Sequence, residues 1–248
     1  VLLMYERTYE RFVIPLLPFL AVVAAWALRD LAHAFGRHVA LLREARGHAC
    51  IAALALAAPA TATFCLSSLR AAPSTMFVAG EELQKLATPA DDVALLSRVE
   101  LPLCREPEGM KNPGGPASLF AWPWVRYQAA LPDGRGPAPL WKLRWWKPKL
   151  EQMNSDPEGY IAAQGGRFVV IEVYADNRAH PAGTAVRQAL QRRAKLLARV
   201  SPDGDAAYSE HPLGYQEETT VPTPHFFARV LRAERSGPVI EIYELDAR

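Results

Sequence analysis

The first third of the chain contains two long apolar stretches separated by a charged segment. Residues 12–28, FVIPLLPFLAVVAAWAL, carry no charge and almost no polar side-chain atom. As a helix rising 1.5 Å per residue this run spans about 26 Å, close to the hydrocarbon core of a bilayer at about 30 Å. Pro15 and Pro18 fall in the opening turns, where proline costs least. The pattern predicts a transmembrane helix over about residues 12–31.

The second apolar stretch covers residues 49–69, ACIAALALAAPATATFCLSSL, and is richer in Ala, Thr and Ser. Pro59 near its middle would kink a helix, and the small side chains suit close packing between helices in a membrane. We therefore expect a second transmembrane helix at 49–69. The alternative is a soluble α/β enzyme in which both helices are buried, but the uncharged first run leaves no polar face for such a helix.

The charge distribution orients the two predicted spans. The chain has 248 residues, 28 basic against 26 acidic, with a net charge of +2 and a mean hydropathy of −0.04. The excess lies between Arg29 and Gly47, and basic loops remain in the cytoplasm. We therefore place the loop 29–48 in the cytoplasm and residues 70–248 outside the cytoplasmic (inner) membrane. The near-zero net charge argues against nucleic acid as a partner.

The remaining residues predict an extracytoplasmic α/β domain over 80–248, after a linker at 70–79. Helices are expected at 81–87 and 184–193, an apolar run covers 93–101, and strands are expected at 167–175, 194–202, 226–233 and 238–245. The strand RFVVIEVYA is the clearest, because it is β-branched and aromatic between Gly and Asp-Asn pairs. Helices between strands indicate a small α/β sandwich with some parallel pairing. The predicted fold class is thus an α/β domain preceded by two transmembrane α-helices.

Residues 105–160 form a Trp-, Pro- and Gly-rich insertion, for which we predict irregular structure. Trp141, Trp145 and Trp146 are candidates for contact with a glycan or with the membrane interface, because an indole combines an apolar face with a polar N–H. Alternatively, the tryptophans fix a segment without its own core onto the domain. We favour this second interpretation.

The common catalytic and metal-binding patterns are missing from the sequence. It has no phosphate-binding glycine motif, no pair of metal-binding histidines and no nucleophile elbow. We assign no catalytic residue and no metal ligand, and no cofactor is evident.

Arg11, directly before the first span, could hold a phosphate bidentately, and Arg7 is a weaker candidate. The alternative, favoured on residue types alone, is a boundary arginine that sets the depth of the helix.

The run Glu10–Leu28 resembles a late transmembrane helix of GT-C type glycosyltransferases that use polyprenyl-phosphate sugars. That group includes dolichyl-phosphate-mannose protein mannosyltransferases and bacterial aminoarabinose transferases. Arg11-Phe12, Pro15 and Leu17-Pro18-Phe19 match its pattern. The downstream order of helices and strands is similar too, down to the closing strand PVIEIYEL at 238–245, whereas the insertion 105–160 departs from it.

The resemblance implies transfer of a sugar from a polyprenyl-phosphate donor in the lipid membrane to a glycan, lipid or protein acceptor. It also implies that Arg11 and Arg7 hold the phosphate. The family's catalytic carboxylate lies many helices upstream, so we expect this chain, which begins Val-Leu-Leu, to be a C-terminal portion without it. A divalent metal and the enzymatic activity of the chain itself stay open. The alternative is a non-enzymatic, membrane-anchored envelope protein whose outer domain binds a glycan or a protein partner.

Overall fold

The computed structural model divides the chain into two units, residues 1–67 with 219–227 and residues 68–218 with 228–248. The residues that it describes are 23–27, 29–30, 34, 53, 57, 60–61, 64–65, 67–69, 71–96, 99–110, 127–128, 130–131, 138–147, 149–173, 181–204 and 231–245. Most of the strand predicted at 226–233 lies outside this set, and its residues 231–232 form a turn.

Every described residue of the first unit is helical. Most of the two predicted transmembrane segments, 12–31 and 49–69, lies outside the described residues. Within the part of the chain that is described, no helix combines the length and the apolarity needed to cross a bilayer. The two spans therefore stay predictions.

The second unit is built on a mixed five-stranded sheet, in agreement with the predicted α/β class. Its strands are β1 (Val93–Leu96), β2 (Leu143–Trp145), β3 (Phe168–Val173), β4 (Ala194–Val200) and β5 (Val239–Leu245). They lie in the order β2-β1-β3-β5-β4. Strand β1 is parallel to β2 and β3, whereas β5 is antiparallel to β3 and β4. All six residues of β3 are buried, as in a strand covered on both faces.

Helix α1 (Thr75–Leu86) covers one face of the sheet. The Ser74 side chain accepts a hydrogen bond from the Phe77 N–H at 3.4 Å and so caps the first turn. This cap explains why residues 75–79 are helical, where we predicted a linker. Leu83 is fully buried in a core shared with both parallel and antiparallel strands, including Val93, Leu95, Phe168, Val170, Ile240 and Ile242.

Three helices cover the opposite face: α2 (Leu150–Ser155), α3 (Pro157–Gln164) and α4 (Pro181–Arg193). Helix α4 confirms the helix predicted at 184–193, and Val186 and Leu190 on its apolar face are fully buried. Tyr160 of α3 packs edge-on against Trp146, with ring centroids 5.5 Å apart. These side chains form a second core with the other face of β3 and β5.

The insertion 105–160 contains more regular structure than its composition indicates. It supplies strand β2, helices α2 and α3, and a short 3-10 helix at Pro107–Met110. Asp156 caps α3 by accepting a hydrogen bond from the Gly159 N–H at 2.9 Å, and Pro157 occupies the first helical position. Strand β2 has only three residues and α2 six, so neither is long enough to produce a recognisable period.

A buried carboxylate joins strand β5 to its neighbours. Glu241 exposes none of its surface. It accepts hydrogen bonds from two nitrogens of Arg187 on α4 at 2.9 Å, from Arg199 on β4 at 2.6 Å and from the Tyr243 hydroxyl at 2.7 Å. Burial acts to raise the pKa of Glu241, but these hydrogen bonds and the two positive charges outweigh it and lower the pKa. Glu241 is therefore ionised at neutral pH and fully paired.

Glu241→Gln should lower the free energy of unfolding by about 3 kcal/mol, because it leaves two arginines without their buried counter-charge. The lowered pKa in the folded state means that the carboxylate stabilises the protein above the reference value of 4.5. That contribution is lost as the pH falls through the lower folded-state value. Urea unfolding of wild type and variant at about pH 7 and pH 3 measures both effects.

Glu244→Gln is the matched control, because Glu244 lies on the same strand in a largely exposed pair with Arg167. Exposed pairs contribute little, so its effect should be clearly smaller. Equal stability of wild type and Glu241→Gln at neutral pH would contradict the role given to this carboxylate.

Candidate functional site

The structure places only some of the site residues suggested by the sequence. Arg7 and Arg11 lie outside the described residues. Trp141, Trp145 and Trp146 are 4%, 8% and 3% exposed. The first two belong to the core beneath α1, and Trp146 belongs to the core on the other face. Rings buried in this way offer no free face for stacking a glycan, so their placement favours the interpretation in which they fix the insertion onto the domain.

The polar ends of two of these indoles are also used inside the domain. The Trp145 Nε1–H donates to the Val99 carbonyl at 3.4 Å, and the Trp146 Nε1–H donates to the Gly165 carbonyl at 3.1 Å. Buried indole N–H groups generally require such partners. Trp145 and Trp146 therefore bind the segments that follow β1 and precede β3.

Beside Trp141 lies Arg105, which is not among the site residues predicted from the sequence. The two residues form an isolated parallel bridge next to β2. The Trp141 N–H donates to the Cys104 carbonyl at 2.8 Å, and the Glu106 N–H donates to the Trp141 carbonyl at 3.0 Å. On its other side, Arg105 is held by the buried amide of Gln128, which accepts from its N–H at 2.9 Å and donates to its carbonyl at 2.7 Å. The Arg105 backbone is thus fixed on both sides.

The Arg105 side chain is fully buried, although it carries a charge. Its guanidinium carbon lies 4.1 Å from the centroid of the Trp145 ring, a cation–π arrangement. Among the residues that the structure describes, none accepts a hydrogen bond from its Nε, Nη1 or Nη2. Nearly all buried polar groups in proteins are hydrogen-bonded. Three unmet donors on one buried cation therefore make Arg105 the clearest candidate for a binding residue in this domain.

Burial also sets the electrostatics of this site. Loss of hydration lowers the pKa of Arg105 to about 10, while the charge of Glu100 acts in the opposite direction. The guanidinium therefore remains protonated at neutral pH. A full positive charge in a low-dielectric setting interacts strongly with any anion that reaches it.

Gly109, four residues after Arg105, packs closely against strand β2 and holds this segment against the sheet. Gly109 lies in the 3-10 helix, and a Cβ atom at this position would overlap the backbone carbonyl oxygen of Leu143 in β2. The same Cβ would lie 3.5 Å from the Arg105 Cβ. Only glycine allows this approach of the turn to the outer strand.

The Arg105 segment lies beside the outer strand of the sheet. Its bridge partner Trp141 precedes β2, and its guanidinium lies against the ring of Trp145, the last residue of β2. The amino ends of the parallel strands carry ion pairs: Arg144 holds Asp92 through two hydrogen bonds of 2.8 Å, and Arg167 joins Asp91 to Glu244.

Within the described residues, no group of three or more His, Cys, Asp or Glu side chains is placed to hold a metal ion.

A sequence signal for Arg105 existed, although it is weak. Its charge directly follows the apolar run Leu101–Cys104, whose residues 101, 103 and 104 are buried. A charged residue that continues a buried run is unusual enough to be examined.

Gly109→Ala should destabilise the domain by about 1–3 kcal/mol, because the added methyl group overlaps backbone that cannot rotate away. Urea unfolding measures the change. Gly80→Ala on α1 is the matched control. There the added Cβ would lie 3.1 Å from the Pro102 Cδ, a small overlap that is offset by the better helix propensity of alanine. A smaller loss at Gly109 than at Gly80 would contradict the packing described here.

Comparison of this chain with known protein families, with curated proteins and with solved structures finds no match. The fold and the Arg105 site are accordingly described from the residues of this chain alone.

Proposed function

We propose that this chain is the C-terminal membrane and extracytoplasmic portion of a glycosyltransferase that uses a polyprenyl-phosphate-linked sugar. The observation that carries the proposal is the run Glu10–Leu28, in which Arg11-Phe12 precedes Pro15 and Leu17-Pro18-Phe19. It joins a guanidinium at the expected membrane surface to an uncharged span, as in the GT-C glycosyltransferases that it resembles. The proposal includes membrane spans at 12–31 and 49–69.

Exposed apolar side chains in the first unit support the membrane part of this proposal. Val23, Trp26 and Phe64 all lie on helical residues and are 64%, 66% and 73% exposed. Exposing such side chains to water costs about 25 cal/mol for each Å² of apolar surface. Contact with lipid removes this cost, because lipid chains are as apolar as the side chains themselves.

The order of elements in the second unit supports the family part. The chain enters through a helix, continues with the parallel strands β1 and β3, and closes with a helix and the antiparallel pair β4 and β5. This is the order expected from the resemblance. The elements β2, α2 and α3 are additions contributed by the insertion 105–160.

The chemistry assigned to this chain concerns the phosphate that leaves the donor. As the acceptor oxygen bonds to the sugar, the bond from the sugar to the donor phosphate breaks and the phosphate departs with its negative charge. A guanidinium at Arg11 would donate two hydrogen bonds to that phosphate and stabilise the developing charge. Arg7 is the second candidate. The carboxylate that assists the acceptor is expected from a region upstream of these residues.

The alternative is an envelope protein whose outer domain binds a glycan or a protein partner. Burial of Trp141, Trp145 and Trp146 removes these three side chains as its contact surface, whereas Trp122 and Trp124 of the same insertion lie outside the described residues.

Arg11→Ala in the complete protein should reduce sugar transfer from the polyprenyl-phosphate donor by about a hundredfold, the usual effect of removing one group that stabilises developing charge. Transfer of a radiolabelled sugar in isolated membranes, normalised to the amount of protein, measures this. Arg29→Ala is the matched control at the opposite end of the same span. Arg29 is exposed and paired with Asp30 at 3.2 Å, so the control should retain activity.

Three results would contradict the proposal. Unchanged transfer by Arg11→Ala would reduce this residue to a boundary arginine. Recovery of the intact chain from the soluble fraction without detergent would remove the membrane part. The reading frame upstream of Val1 is expected to encode further apolar spans and an acidic residue in an early loop, and an immediate upstream stop codon would exclude the family assignment.

A further inference from the structure

We propose that Arg105, held against Trp145 beside β2, binds a phosphate group. This proposal does not involve Arg11 and does not depend on sugar transfer. It requires a ligand that carries a phosphate, either a soluble phosphate compound or a phosphorylated lipid. Three properties of Arg105 support a bound phosphate: its unmet hydrogen-bonding capacity, its fixed position and the number of its donors.

The first property is the buried charge of Arg105, which is costly without hydrogen bonds. An isolated charge removed from water is strongly destabilising unless it is paired and hydrogen-bonded. Glu241 shows how this domain satisfies such a requirement, since its carboxylate receives four hydrogen bonds from three side chains. Arg105 is equally buried, yet no described residue accepts from its guanidinium. The charge of Glu100 favours the protonated guanidinium, but it supplies no hydrogen bond to these nitrogens. A bound oxyanion supplies the missing acceptors.

The second property is the fixed position of Arg105, which the domain itself holds in place. The Gln128 amide brackets its backbone, Trp141 bridges to it, and Gly109 packs beside its Cβ. The ring of Trp145, 4.1 Å from the guanidinium carbon, restricts the side chain on one side. A residue that is already ordered loses little conformational freedom on binding, and preorganisation of this kind increases affinity.

The third property is the number of donors on the guanidinium, which selects the class of anion. The guanidinium nitrogens Nε, Nη1 and Nη2 all need acceptors. A planar carboxylate has two oxygens and satisfies one edge. A phosphate has additional oxygens that can engage the remaining donors, and the arginine fork matches phosphate geometry. Because Arg105 has no exposed surface, the bound phosphate is enclosed, and its entry requires local opening of the surrounding structure.

The test uses the full chain, purified in detergent and exchanged into phosphate-free buffer at constant ionic strength. Thermal unfolding is followed after long equilibration with sodium phosphate in one series and with farnesyl phosphate in another. The wild-type Tm should rise and saturate in at least one series, by about 5 °C when the ligand is at about 100 times its Kd. Phosphorus NMR of the same samples should show broadening of the phosphate signal.

Arg105→Met is the decisive variant. It keeps the length and the apolar part of the side chain, so it should fold, and removal of a buried unpaired charge does not destabilise by itself. Its Tm should not respond to either ligand. Arg192→Met is the matched control, because Arg192 is exposed on α4 and paired with Glu158; this variant should respond as wild type does.

The two series distinguish the sources of phosphate. Similar concentrations of sodium phosphate and farnesyl phosphate at half-saturation indicate recognition of phosphate alone. A response to farnesyl phosphate at far lower concentration indicates a phosphorylated lipid. If neither ligand raises the wild-type Tm more than that of Arg105→Met, the proposal is overturned.

Should Arg105→Met fail to fold, Arg105→Lys is the second variant, because lysine keeps the charge but loses the two-nitrogen fork of arginine. Phosphorus NMR should then show less broadening of the phosphate signal than with wild type. Undiminished broadening would overturn the proposal.

Discussion

The structure of this domain depends on strand β3, which is buried along its whole length. Its residues alternate between two cores: Phe168 and Val170 lie beneath α1, whereas Val169 and Ile171 lie beneath α3 and α4. A strand buried on both faces must have helices on both sides and neighbouring strands on both edges. The parallel strand β1 fills one edge and the antiparallel strand β5 fills the other. The remaining elements are arranged around this requirement.

Two buried charges of this domain differ in their hydrogen bonding. Glu241 is surrounded by donors from three different elements, so its ionisation ties α4, β4 and β5 into one unit. Arg105 lies beside β2, the outer strand at the other end of the sheet. Its guanidinium lies against the ring of Trp145 and interacts with the charge of Glu100, but no described residue accepts a hydrogen bond from it. The first arrangement is that of a structural ion pair, whereas the second has the incomplete pairing typical of binding sites.

The long elements could be predicted from the sequence because each contains enough residues to establish a period. Strand β5 and the apolar face of α4, with Val186 and Leu190, are examples. Short elements such as β2 depend on neighbours distant in the chain, here β1, and leave no local pattern. The site was missed for a related reason: a lone arginine becomes informative only when its burial and its lack of acceptors are known, and both are tertiary properties.

The position of β5 has a consequence for the order in which the domain can assemble during synthesis. This strand comes last among the described elements, yet it lies between β3 and β4. While the ribosome is still translating the residues before 239, β3 has an open apolar edge and β4 has no partner. Exposed strand edges of this kind promote aggregation of nascent chains. The edge of β3 is therefore covered only after the final strand has been synthesised.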